Sequence, residues 1–219
     1  MKNAVFTFCF TLLSLAAFAQ AKTIKLNNPS FEDYPQAAHA PEGWYDCGFA
    51  GETPPDVNPT GQFRVTQRAK VGSTYLGMVT RDNNTWEAIG QELKYPLLPD
   101  TCYELTVYLM TSPIYQSQSR VTGRDVNYIK PTKLMVYGGN SDCEQGELLA
   151  ASPAIETHEW TKYRFVIKPT KQFKHIMLVA YYANELLNGN IVMPTNGNIL
   201  VDGLSNITPC SCTKSEEKK

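Results

Sequence analysis

Asn28-Pro29-Ser30-Phe31-Glu32, then Pro41-Glu42-Gly43-Trp44, open a succession of short β-branched and aromatic runs that ends at Ile199-Leu200-Val201-Asp202-Gly203-Leu204. Asn-Pro-Ser and Pro-x-Gly are turn chemistry: Pro fixes φ, Asn and Ser bond to nearby backbone, and Gly accepts positive φ. The closing run is β-branched and apolar up to its carboxylate, as a buried strand would be. Read together, the two ends are the first and last strands of one β-sandwich. Each carries an acid, Glu32 and Asp202.

Between these ends, Pro and Gly punctuate segments that predict strands near 24–27, 62–66, 74–80, 86–93, 102–110, 132–137, 160–168, 175–183 and 198–207. In Cys102 to Met110, Tyr103, Leu105, Val107 and Leu109 share one face, the period-two alternation of a half-buried strand. Residues 160–168 repeat it, with Thr161, Tyr163, Phe165 and Ile167 opposing Lys162 and Arg164. His175 to Ala183 is apolar on both faces, which predicts a central strand. No helical stripe exceeds two turns. The expected fold is all-β, a jelly-roll sandwich of about eight or nine antiparallel strands.

Residues 1–21 read as a secretion signal: Lys2, an apolar run from Ala4 to Ala19, and the small residues of Ala17-Phe18-Ala19 or Ala19-Gln20-Ala21. No later segment could span a membrane. The expected organisation is a signal peptide over 1–21, one domain over 22–209 and a polar tail over 210–219. The chain of 219 residues less 21 leaves 198, enough for one sizeable core. The net charge of −1 and scattered basic residues argue against a nucleic-acid partner.

Beyond the signal lie Cys47, Cys102, Cys143, Cys210 and Cys212. Export would favour disulfides, and the odd count leaves one thiol over. The expected pair is Cys102 with Cys143. Cys210 and Cys212 sit too close in sequence to bridge each other easily. Zinc is disfavoured, since no C-x-x-C occurs and His39, His158 and His175 are widely spread.

Two long loops interrupt the strand pattern. Residues 45–61 are expected to lack regular structure, because Pro54, Pro55 and Pro59 remove ladder donors. Residues 111–130 are polar and carry Tyr115 and Tyr128. Such loops either bind or cover sheet edges. Arg81-Asp82-Asn83-Asn84 falls between two strands, either as polar ligands on a rim or as a simple hairpin turn.

The opening motif, the Pro-x-Gly-Trp and the closing Val201-Asp202-Gly203-Leu204 resemble galactose-binding-like jelly rolls, and among them carbohydrate-binding modules of families 4, 9 and 22. The middle, from Tyr75-Leu76-Gly77-Met78 through Trp86 to Cys102-Tyr103-Glu104-Leu105, resembles related domains of exported Bacteroidetes surface and gliding-associated proteins. The resemblance implies an exported, noncatalytic, carbohydrate-binding domain located in the periplasm, on the cell surface or outside the cell. The alternative it leaves open is a structural or adhesive envelope domain that binds a protein. It also implies a structural calcium ion tying first strand to last through Glu32 and Asp202, since calcium takes six to eight oxygens. The other reading of those acids is that they satisfy backbone donors in adjacent turns.

Sugar binding needs flat aromatic faces and planar hydrogen-bonding side chains. The expected ligand set is Tyr115, Tyr128, Arg81, Asp82, Asn84 and Trp86, with Trp44 and Trp160 facing inward. An enzyme is not expected. No G-x-S-x-G elbow, H-E-x-x-H, P-loop or G-x-G-x-x-G occurs.

Overall fold

The alternation in Tyr103–Met110 becomes a strand whose Tyr103, Leu105, Val107 and Leu109 are all buried. It belongs to a computed structural model that describes residues 21–183 and 193–211. Almost all of the expected signal peptide, the tail from residue 212 and the sulfur of Cys212 lie outside the described residues.

In chain order the strands are β1 (Tyr45–Asp46), β2 (Asp56–Asn58), β3 (Tyr75–Thr80), β4 (Ala88–Leu97), β5 (Tyr103–Met110), β6 (Gln116–Gln118) and β7 (Asp125–Asn127). They continue as β8 (Thr132–Gly139), β9 (Glu147–Ala151), β10 (Thr161–Ile167), β11 (Phe173–Tyr182), β12 (Gly197–Asp202) and β13 (Thr208–Pro209). One antiparallel sheet runs β1-β4-β11-β8-β9. The other runs β10-β5-β12-β3-β2, with β13 added to β5. The main core lies between them, with Ile89, Leu93, Leu134, Ile176 and Leu178 from the first sheet meeting Leu76, Met78, Leu105, Val107 and Ile199 from the second. This is the jelly-roll sandwich that the sequence predicts, and β11 is central, between β4 and β8. No helix among the described residues is long and apolar enough to cross a membrane.

The opening motif works through Asn28. Its Nδ2 donates to the carbonyls of Glu32 (2.9 Å) and Glu42 (2.8 Å), and its Oδ1 accepts from Glu32 N–H (2.8 Å). Asn28 takes φ 42° to do this, a left-handed geometry Asn tolerates better than most residues. The hub holds the Pro-x-Gly turn so that Trp44 packs inward on Phe31, ring centroids 5.4 Å apart, and Trp44 Nε1 donates to Asn28 O at 3.0 Å. Leu204 N–H donates to Pro29 O (2.9 Å), and Ile24 and Ile207 exchange both backbone bonds. First and last segments are therefore neighbours.

Four expectations change. Residues 24–27 form no strand: Ile24 alone pairs, in an isolated bridge with Ile207. Residues 62–66 are not a strand: Gln62–Arg64 is a 3-10 turn, with Phe63 at φ 54° and Arg64 at φ 60°. The proline-bearing segment 45–61 does hold strands, β1 and β2. β2 closes the edge of its sheet between Pro55 and Pro59 and pairs only residues that keep their donors. The disulfide is Cys47–Cys143, not Cys102–Cys143. Pairing of β1 with β4 carries Cys47 across to the turn between β8 and β9, where Cys143 sits at φ 59°.

Candidate functional site

The loop 111–130 and the segment around Phe63 and Val65 lie over the outer face of the six-stranded sheet. There Tyr75, Val79, Met110 and Leu200 project outward, and Val65, Tyr115 and Tyr128 close over them as a second apolar cluster. Tyr115 is 2% exposed and Tyr128 1%. These two rings are therefore not open platforms for a ligand, a correction to the expectation drawn from their polar loop. The hydroxyl of Tyr115 donates to the carboxylate of Asp56, and that of Tyr128 donates to Gln118 O at 2.7 Å. The polar residues around the rings belong to a short hairpin, β6–β7, which rides over the cluster.

The rim residue Arg81 is also buried. Its Nη2 donates to Thr53 Oγ1 (2.9 Å) and forms an ion pair with Glu87. Its Nε lies 3.4 Å from Glu52 Oε2, which in turn takes Arg120 Nε at 2.8 Å. Its Nη1 is buried with no hydrogen-bond partner among the described residues. Burial pushes the Glu87 carboxyl well up, against the pull of the Arg81 charge, and it likewise raises Asp56. Glu52 goes the other way: burial raises it, but Asn83, Arg81 and Arg120 outweigh burial and hold it low. Arg81, Glu87, Asp56, Tyr115 and Tyr128 line a cavity of about 50 Å³, room for a water molecule or a comparably small polar group.

Asp82 anchors the hairpin instead of facing solvent. Its carboxylate accepts from Ser119 Oγ (2.6 Å), Arg120 N–H (3.0 Å) and Asn196 Nδ2 (3.0 Å). Asn84 is exposed at φ 63°, the turn role left open by the sequence. Thus Arg81, Asp82, Tyr115 and Tyr128 do come together, but as the support of a site and not its surface. Trp86 lies apart, on the opposite sheet.

Over this support opens a groove of about 510 Å³, lined by Phe63, Arg64, Gln116, Gln118, Arg120 and Asp125 together with Thr53 and Ser117. Phe63 stacks on Tyr115, centroids 5.5 Å apart and planes 12° off parallel, so the buried ring fixes the tilt of the half-exposed one. Gln116 and Gln118 are alternate residues of β6 and so project to one side. That Gln-x-Gln spacing was the readable signal. Nothing in the sequence marks Phe63, which depends on two successive left-handed residues.

The outer face of the five-stranded sheet is different. Trp86 makes edge contacts with Phe49 (4.8 Å) and Tyr181 (5.0 Å). The middle, Ala88, Met177 and Val179, is buried although it faces outward, with Cys47, Met135 and Tyr137 packed on it. At the far end Tyr45 OH meets His175 Nδ1 at 2.9 Å, and His175 lies 3.4 Å from Asp142. Burial, and then the Asp142 charge, raise the Tyr45 hydroxyl to about 12.

Glu32 and Asp202 converge on the loop 70–74 before β3. Glu32 accepts from Ser73 N–H at 3.0 and 3.1 Å through its two oxygens. Asp202 accepts from Lys70 (2.7 Å), Val71 (2.9 Å) and Gly203 (2.6 Å) N–H groups. The tie seen between the ends is made by amides. Against the six to eight oxygens calcium takes, the carboxylates on hand are these two, and both already accept amide hydrogens. Among the described residues no three His, Cys, Asp or Glu side chains gather as a metal site.

No protein-family model matches the chain, and no curated protein matches it in sequence. Among solved structures it is similar to the CBM22-1 xylan-binding domain of Paenibacillus barcinonensis Xyn10C, at 15% identity and TM-score 0.46, covering 90% of this chain and 100% of that one. It is similar to the CBM22-1–GH10 modules of Clostridium thermocellum xylanase 10B in complex with xylohexaose, at 14% identity and TM-score 0.47. That match covers 90% of this chain but spans only 30% of the xylanase chain. It is also similar to the K2 cleaved adhesin domain of Lys-gingipain, at 11% identity and TM-score 0.45, covering 84% of this chain and 96% of that one. These likenesses say nothing by themselves of what this chain binds.

Proposed function

We propose that this chain is an exported, noncatalytic domain that binds carbohydrate in the groove between the Gln62–Arg64 turn and the β6–β7 hairpin. One observation carries the reading: an oriented aromatic ring, Phe63, shares an open groove with five planar polar side chains, Arg64, Gln116, Gln118, Arg120 and Asp125. A pyranose needs that pairing, an apolar face for its C–H groups and amide, guanidinium or carboxylate groups for its hydroxyls. The groove is also of ligand size, since sites for small molecules run to about 300–1,000 Å³. Left-handed φ at the bulky Phe63 and at Arg64 adds weight, because such strain collects where structure serves binding. Export is supported by the signal-like opening segment and by the Cys47–Cys143 bridge, which suits an oxidising compartment.

The test is retention on a broad glycan array and on insoluble polysaccharides, comparing wild type with Phe63→Ala, Gln118→Ala and Trp86→Ala. Phe63→Ala and Gln118→Ala should each weaken retention about tenfold, the equivalent of one lost stacking or hydrogen-bonding contact. Trp86→Ala should retain like wild type. Loss confined to Trp86→Ala would move the site to the opposite sheet. No retention of any glycan, with an envelope protein co-purifying instead, would reject the carbohydrate reading.

A further inference from the structure

We infer that Cys102 and Cys210 form a second disulfide, which fastens the end of the described chain to β5. The inference is independent of the carbohydrate reading. Its first support is register. β13 pairs with β5 as Thr208 opposite Glu104 and Pro209 opposite Tyr103, so the next pair along the ladder is Cys210 opposite Cys102. The backbone confirms that step, since Cys210 N–H donates to Cys102 O at 2.9 Å. Residues directly opposed in an antiparallel pair have Cα atoms about 4.5 or 5.5 Å apart. Both spacings fall inside the roughly 4.4–6.8 Å range that a disulfide spans.

The second support is the approach of the sulfurs, whose Sγ atoms lie 2.7 Å apart. Even carbon atoms make their best non-bonded contact only at about 3.5–4.0 Å, and sulfur is larger. Two thiols held at 2.7 Å are well inside contact, and closing to the covalent length of about 2.05 Å takes a small side-chain adjustment.

The reaction balances with an exported protein disulfide as oxidant. One thiol of the pair gives up its proton, and its thiolate attacks the oxidant disulfide, releasing one oxidant thiolate and leaving a mixed disulfide. The second thiolate then displaces the remaining oxidant sulfur. Two electrons pass to the oxidant, which leaves as its dithiol with the two protons. Oxidised glutathione can take that role in vitro.

The consequence is positional. A bridge across 108 residues of sequence holds β13 on β5.

The experiment is disulfide mapping of the full chain after equilibration with oxidised glutathione, alkylation under denaturing conditions and proteolysis. The expected cross-linked peptides join Cys47 to Cys143 and Cys102 to Cys210, with the intact mass lower than that of the reduced chain by the four hydrogens of two bridges. Alkylated Cys102 and Cys210, or a bridge from Cys102 to Cys212, would overturn the inference. Cys210→Ser provides the second readout. It should keep the Cys47–Cys143 peptide while limited proteolysis trims the C-terminal end several-fold faster. A trimming rate equal to that of wild type would overturn the fastening role.

Discussion

Arg81 and Glu87 face each other as an ion pair with each side chain only 3% exposed, directly behind the polar groove. The pair does not float alone: Glu87 also accepts from Val79 N–H at 3.0 Å, and Arg81 reaches Thr53 and Glu52. Removing one member of a buried pair strands the other charge, which typically costs about 3–5 kcal/mol. Arg81→Met should therefore lower stability by about 3 kcal/mol or more in urea unfolding, with Glu87 driven further toward its protonated form. Adding Glu87→Gln should recover much of that loss, because the stranded acid goes with it. Additive losses in the double variant would show that the two side chains are not energetically coupled.

In the proposed function Tyr115 supports the groove without touching ligand, and the hydroxyl separates those roles. Tyr115→Phe removes the donor to the buried Asp56 carboxylate and leaves it the N–H of Ala38 at 2.8 Å. The expected loss is about 1–3 kcal/mol of stability, the cost of an under-satisfied buried acceptor. Glycan retention should be unchanged, because the ring that orients Phe63 remains. Phe63→Ala should behave oppositely, losing retention at a stability cost of about 1–1.5 kcal/mol, half that of a fully buried phenyl. Equal loss of retention in both variants would place the Tyr115 hydroxyl in the ligand site.

How much of this was open to reading depends on the range of the interaction. Period-two runs such as Tyr103–Met110 and Thr161–Ile167 declare their buried face locally, so β5 and β10 were legible. So was Asn28-Pro29-Ser30-Phe31-Glu32, where the Asn28 side chain closes its own turn by accepting from Glu32 N–H and donating to Glu32 O. β2 was not, because its prolines flank the pairing residues without occupying them. Tyr115 and Tyr128 misled for a related reason. Their neighbours in sequence are polar, but their neighbours in space, Val79, Met110 and Leu200, come from other strands. The partner of Cys143 was likewise a matter of topology, which cysteine count alone leaves undetermined.

The Cys47–Cys143 bridge joins the edge strand β1 to the β8–β9 turn across the outer faces of β4 and β11. With a sequence separation of 96, its removal in Cys143→Ser should cost about 2–5 kcal/mol, read as a lower urea midpoint. Gly90 is part of the same device. A Cβ there would lie 2.6 Å from Tyr45 Cε2 and 3.2 Å from Cys47 Sγ. Gly90→Ala should thus push the Tyr45 ring off the sheet and cost about 1–3 kcal/mol. A neutral Gly90→Ala would mean that β1 does not sit on β4 in solution.

Asp202 offers a test of the tie between the two ends that uses the sign of its titration. Burial raises its carboxyl to about 6, amide bonds oppose the rise, and the Glu32 charge adds to it. A folded value above the unfolded one means that the ionised form is disfavoured on folding. The group then costs nothing below about pH 4, costs progressively more as pH climbs to 6, and carries its full penalty above. Stability of wild type relative to Asp202→Asn should therefore fall between pH 4 and pH 6, by on the order of 2–3 kcal/mol, and level off beyond. A calcium ion at the tie would reverse that slope. It would hold Asp202 ionised, depress its titration, and make acid the destabilising direction for wild type alone. Running the same pair of titrations with a chelator and with added calcium decides between an amide tie and an ionic one. The amide tie gives a difference curve that calcium leaves unmoved. A curve that inverts with calcium, accompanied by a melting temperature that chelation lowers, would assign the junction of Glu32 and Asp202 to the ion.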